Sequence, residues 1–133
     1  MAFVADASVT AAWFIESQAN AYTDRLLDRL ADERVYVPGV WPAEFTNIFL
    51  VLERRRKLRA EQVQAILRLA SLYPITIDFE SVPLAELCRL SRQYGLTAYD
   101  AMYLELAIRM ELPLCARDGA LVQAVRKAGL SLE

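Results

Sequence analysis

Short apolar runs of β character alternate with longer amphipathic stretches along this chain, and that alternation constrains the fold more than any other feature. Residues 3–6 (FVAD), 35–38 (VYVP), 74–78 (PITID) and 112–116 (LPLCA) read as strands, with a last short strand at LSLE. Between them, helical spacing marks residues 8–15, 19–33, 42–57, 60–72, 83–95, 98–111 and 119–128. Pro42 and Pro83 suit first turns, and Gly95 suits a helix C-cap. Strands separated by helices of this length need crossover connections, which build a parallel sheet covered on both faces. The expected architecture is a three-layer α/β/α domain with a central, mostly parallel sheet. At 133 residues and 56% apolar content, one domain spanning residues 1–133 is expected, large enough to form a core without staples.

Composition excludes several chemistries. The chain has no histidine, so neither a Ser-His-Asp nor a Cys-His nucleophile can form, nor a zinc site with imidazole ligands. Acid–base or metal chemistry must come from the 17 carboxylates. Cys88 and Cys115 lack CxxC spacing and read as buried free thiols of a reducing compartment. No Lys or Arg precedes Arg25, so no signal peptide is expected, and no apolar run approaches a membrane span. A cytoplasmic location follows. A net charge of −2 argues against a protein that coats nucleic acid, though not against an enzyme meeting one phosphodiester.

In open parallel sheets, ligands bind beyond the carboxyl ends of the strands. Four acids map there: Asp6 at the end of the first strand, Glu44 and Asp100 in first turns of helices, and Asp118 after the fourth strand. Each alone is explained by the preference of carboxylates for helix N-termini, and Thr97 and Asp100 have capping-box spacing. Together they are harder to explain so. Two unit charges about 4 Å apart repel by about 4 kcal/mol at an effective dielectric of 20. Apolar neighbours (Ala98, Tyr99, Ala101, Met102 and Leu104) are expected to press Asp100 inward. A gathered set of carboxylates calls for a hard divalent cation, Mg²⁺ or Mn²⁺, which suits phosphodiester hydrolysis.

At these residues the chain resembles a known family. Asp6 in VADASV, Glu44 in PAEFTN, Asp100 in LTAYDAMYLELA and Asp118 in ARDGAL resemble the four acidic motifs of the PIN domain. Their order, spacing and the chain length resemble the VapC-type toxins of toxin–antitoxin pairs. The resemblance implies a Mg²⁺- or Mn²⁺-dependent endoribonuclease, restrained by a cognate antitoxin and forming a homodimer. It implies that Asp6 and Asp100 hold the principal ion and that Glu44 and Asp118 complete its shell or position a second ion through water. Metal-activated water would then cleave RNA to 5′-phosphate and 3′-hydroxyl ends. Ser8, Asn47 and Thr97 match polar positions around the family's site. Ala116 departs from the pattern, standing where Thr or Ser is usual. That lost hydroxyl keeps open a catalytically decayed PIN-like domain that binds protein or RNA.

Arg117 beside Asp118 is a candidate phosphate contact, with a surface salt bridge as the alternative. The basic run from Arg54 to Arg59 complements a helix C-terminus, and Arg55 lies about 16 Å of helix from Glu44 at roughly 1.5 Å per residue, too far to touch the same phosphate. Trp13, Phe14, Phe45, Phe49 and Leu52 read mainly as core, with any exposed remainder forming a groove for an antitoxin helix or a second copy. A phospho-acceptor module would need paired acids after the first strand and a late-strand Lys. Asp6 is instead followed by Ala7-Ser8, and Lys127 falls in the last helix. A DxD phosphatase fails because position 8 is Ser.

Overall fold

The computed structural model describes residues 1–117 and 119–130. Four strands, β1 (Ala2–Ala5), β2 (Arg34–Pro38), β3 (Ile75–Asp78) and β4 (Leu114–Cys115), form one parallel sheet in the order β3-β2-β1-β4. The helices are α1 (Ala7–Ala12), α2 (Ala21–Arg29), α3 (Trp41–Arg54), α4 (Ala60–Ala70), α5 (Leu84–Tyr94), α6 (Ala98–Met110) and α7 (Gly119–Lys127). A 3-10 turn at Glu16–Gln18 links α1 to α2.

Strand alternation divides the core between the two faces of the sheet. Phe3, Ala5, Val35 and Cys115 pack with Val9, Trp13 and Leu26 of the α1–α2 region. Val4 and Leu114 face the other way, into a larger cluster that takes in Phe45, Phe49, Leu90, Leu104 and Leu121 from α3, α5, α6 and α7. Two faces, each covered by helices, give the three layers expected from the alternation. On α3, Phe45 stacks on Trp41 with ring centroids 4.6 Å apart and meets Phe49 edge-on at 4.9 Å. Burying one such ring contributes roughly 1.5–3 kcal/mol.

Several boundaries differ from expectation for local reasons. The first helix ends at Ala12, where the backbone tightens: the Trp13 N–H bonds Thr10 O and the Phe14 N–H bonds Ala11 O. Helix α2 starts two residues later than expected because Asn20 caps it, exchanging reciprocal hydrogen bonds with Thr23. The fourth strand shrinks to two residues, since it pairs only with β1 and Pro113 has no N–H to donate. The expected closing strand falls mostly on residues 131–133, outside the described residues. Cys88 is exposed on α5, which corrects its reading as a buried thiol; Cys115 is buried as expected. Leu90, two residues along α5, is the position that faces the core.

The order of the strands positions the site. From β1 the chain winds outward through β2 to β3, then returns to place β4 on the other side of β1. The carboxyl ends of β1 and β4 therefore flank the point where the winding reverses, the place where such sheets leave a crevice.

Candidate active site

Asp6 follows β1 directly and serves as the N-cap of α1. Its Oδ1 accepts hydrogen bonds from the Val9 N–H and the Ser8 hydroxyl, each at 2.9 Å. Its own N–H donates to Cys115 O at 3.1 Å, tying it to the end of β4. Capping alone would hold the carboxyl below its usual range, because both bonds favour the charged form. The opposite occurs. With only 5% of the residue exposed, burial pushes the Asp6 pKa up to about 6 against those two bonds, and the charge of Asp100 adds to the rise.

Glu44 lies in the first turn of α3, half-buried, and its Oε1 accepts from the Tyr103 hydroxyl at 2.8 Å. Burial raises its pKa, the Tyr103 bond opposes that rise, and Asp100 reinforces it. Asp100 lies in the first turn of α6, whose N-cap Thr97 accepts the Asp100 N–H at 3.1 Å. Asp100 is half-buried, but not through all the neighbours expected. Tyr99 is 61% exposed and Ala98 is also exposed, while Ala101 and Leu104 are fully buried. First-turn geometry, with Ala101 and Leu104 anchoring the helix, sets its position.

Asp100 thus acts on the charge of both Asp6 and Glu44, so three carboxylates from three separate elements share one electrostatic neighbourhood. Asp118 lies outside the described residues. Ser8 touches Asp6 directly, Thr97 is a helix cap, and Asn47 is exposed one turn beyond Glu44 on α3.

Arg117 extends from the end of β4, but its terminal nitrogens are turned to backbone carbonyls. Nη1 donates to Gln18 O at 2.7 Å and Nη2 to Ser8 O at 3.0 Å, which straps β4 to α1 and the 3-10 turn. From there its charge favours the ionised form of Asp6. The long reach of this contact, from residue 117 to residues 8 and 18, leaves no local signature in the chain.

Two tyrosines went unread in the sequence. Tyr103 is 1% exposed on α6, and its phenol is held far above its usual pKa by burial first and then by Glu44. Its signal was a Tyr where Phe would fill an apolar helix face equally well. Tyr22 packs from α2 against the cluster containing Cys115. Burial raises its phenol pKa, with Cys115 and the Asp6 charge contributing and a hydrogen bond from the Ala116 backbone opposing.

Trp13, Phe14, Phe45, Phe49 and Leu52 are buried or half-buried and serve mainly packing, and of the five Phe45 also lines a cavity of about 410 Å³ beside Trp41, Pro42 and Tyr73. Exposed apolar side chains include Leu50 on α3 and Leu69 on α4, and Leu72, Phe79 and Leu84 stand further out.

Among the described residues, no three His, Cys, Asp or Glu side chains converge tightly enough to form a metal cage as they stand. The donor chemistry nonetheless fits a hard divalent cation. The set is all carboxylate, Asp100 raises the proton affinity of both Asp6 and Glu44, and the hydrogen bonds to Asp6 and Glu44 fall on Oδ1 and Oε1. Among the described residues, no helix is long and apolar enough to cross a membrane.

Comparison with curated proteins finds no match. Among solved structures, the fold is similar to FitAcB from Neisseria gonorrhoeae (18% identity, covering 99% of this chain and 96% of that one, TM-score 0.67). It is similar to VapC20 of Mycobacterium tuberculosis, a sarcin–ricin loop cleaving toxin (14% identity, 96% and 95% covered, TM-score 0.62). It is also similar to VapBC2 from Rickettsia felis bound to a DNA fragment from their promoter (17% identity, 100% and 98% covered, TM-score 0.67). At these identities the likeness is one of fold. The family model of the PIN domain matches residues 3–127, nearly the whole sequence, and the chain belongs to the PIN domain family.

Proposed function

We propose that this chain is a Mg²⁺- or Mn²⁺-dependent endoribonuclease of the VapC type, the toxin of a toxin–antitoxin pair. The observation that carries the reading is the placement of Asp6, Glu44 and Asp100 at the N-termini of α1, α3 and α6, with the charge of Asp100 felt by both of the others. Family membership and likeness to VapC20 support a nuclease, and likeness to FitAcB and VapBC2 supports a cognate antitoxin as partner. In this reading the protein is a cytoplasmic homodimer when not held by its antitoxin, and RNA is the substrate.

Asp6, Glu44 and Asp100, with Asp118, would hold the ion. When bound, the ion supplies an activated water and offsets the charge that develops on the phosphorus centre. The protein groups do the rest. Ser8 and the Val9 N–H fix the Asp6 carboxylate by Oδ1, which leaves Oδ2 for coordination. Thr97 holds the first turn of α6, and so keeps the backbone that carries Asp100 in place. Arg117 straps the end of β4 to α1, and its charge keeps Asp6 closer to its ionised, metal-binding form. The leaving 3′-oxygen departs as a hydroxyl and the downstream fragment keeps a 5′-phosphate.

The test is incubation of antitoxin-free protein with total RNA in Mn²⁺, Mg²⁺ or chelator, beside Asp100→Asn. Metal-dependent fragments with the wild type alone are expected. Intact RNA under every condition, from protein that binds Mn²⁺, would favour a PIN domain that has kept its acids and lost its chemistry.

A further inference from the structure

Tyr103 occupies a position where its hydroxyl needs an explanation. The residue is 1% exposed among Ala101, Leu104, Leu106 and Ala107, and a phenylalanine would pack there without burying a polar group. Its hydroxyl is satisfied by one partner, Glu44 Oε1 at 2.8 Å, which is 59 residues away in the chain and on a different helix. Because Asp100 and Tyr103 are three residues apart on α6, they share one face of that helix. Helix α6 thus presents one carboxylate of the site and, one turn along, the group that grips another.

The consequence for Glu44 is mechanical. A glutamate has three rotatable bonds, and a half-buried one left unrestrained loses that freedom when it ligates an ion. The Tyr103 ring is locked by the core and has only two torsions, so its hydroxyl is a fixed point. It occupies Oε1 and leaves Oε2 as the oxygen for a cation. We infer that Tyr103 is a positioning residue for the divalent cation: its hydroxyl orients the Glu44 carboxylate and thereby raises the affinity of the carboxylate cluster for Mn²⁺ or Mg²⁺. This inference rests on the metal-dependent reading above.

The experiment is a calorimetric Mn²⁺ titration of wild type, Tyr103→Phe, Glu44→Gln and the double variant, with folding of each checked by circular dichroism. Removing a group that orients a metal ligand typically costs about 10–100-fold in affinity. Tyr103→Phe should bind Mn²⁺ about 10-fold more weakly than wild type, and it should add little in the Glu44→Gln background. Equal affinity of Tyr103→Phe and wild type overturns the inference while leaving the metal site standing. So does an equal loss in both backgrounds, which would mark a general effect on packing. Absence of Mn²⁺ binding by wild type overturns the metal-dependent reading itself and this inference with it. Should Tyr103→Phe fail to fold, the ¹³Cζ resonance of Tyr103 in wild-type protein serves instead. It should move on addition of diamagnetic Mg²⁺ and stay fixed in Glu44→Gln; no movement in wild type, or equal movement in both proteins, overturns the inference.

Discussion

Replacing Asp6 by Asn should stabilise the metal-free protein, and by an amount that depends on pH. The carboxyl is almost fully buried and its pKa is raised to about 6, whereas an unfolded aspartate titrates near 4. A group raised in this way stabilises the fold while protonated, below the unfolded value, and loses that contribution as pH rises through the folded value. At about 1.4 kcal/mol per pH unit, the ionised Asp6 costs roughly 3 kcal/mol above pH 6. Asparagine keeps the oxygen that accepts from Val9 and Ser8, so the cap of α1 survives. The assay is urea denaturation of both proteins in chelator at several pH values. The advantage of Asp6→Asn should be close to zero near pH 4 and grow to about 3 kcal/mol by pH 7.5, or about 10 °C in Tm. Saturating Mn²⁺ should erase it, because an ion at 100 times its Kd stabilises the wild type by about 2.7 kcal/mol. An advantage that stays constant across this range would mean that packing, not a buried charge, separates the two proteins. A wild type that is the more stable protein at pH 7.5 without metal would likewise refute a costly buried charge.

Other consequences follow from the packing. Glu111 closes α6 in the left-handed region at φ 55° and is exposed, so Glu111→Gly should raise stability by up to about 1 kcal/mol in thermal denaturation. Phe49 is fully buried in the larger core cluster, and Phe49→Ala should cost about 3–5 kcal/mol in urea unfolding. Arg109 reaches Asp78 at 2.6 Å and Glu80 and Glu105 at 2.9 Å, holding three carboxylates that would otherwise repel. Arg109→Met should therefore lose about 1–2 kcal/mol at low ionic strength and less in about 1 M salt, compared by parallel unfolding curves.

Much of the fold was legible because its determinants are local. Apolar runs at 3–6, 35–38 and 74–78 correspond to β1, β2 and β3 to within a residue or two, and Pro42 and Gly95 lie at the helix boundaries expected of them. The placement of Asp6, Glu44 and Asp100 could be read because the carboxyl ends of parallel strands and helix N-termini are topological places, deducible before any contact is known. What escaped the sequence was pairwise and distant. The grip of Tyr103 on Glu44 and of Arg117 on the Ser8 and Gln18 carbonyls depends on side-chain reach across the core, which no spacing encodes. The burial of Cys88 was misread because a cysteine inside an apolar stretch can fall on either face of an amphipathic helix, and here Leu90 takes the inner one. The short β4 reflects Pro113, visible in the sequence but outweighed there by the apolar run around it.

In the proposed reading, Asp6, Glu44 and Asp100, from three different elements, make one cation site. Calorimetric titration of Mn²⁺ into wild type, Asp6→Asn, Glu44→Gln and Asp100→Asn tests it most directly. Saturable binding to wild type is expected, with each single substitution weakening it by about 10-fold or more. Binding that is indifferent to all three substitutions, or that responds to only one of them, would contradict a shared site.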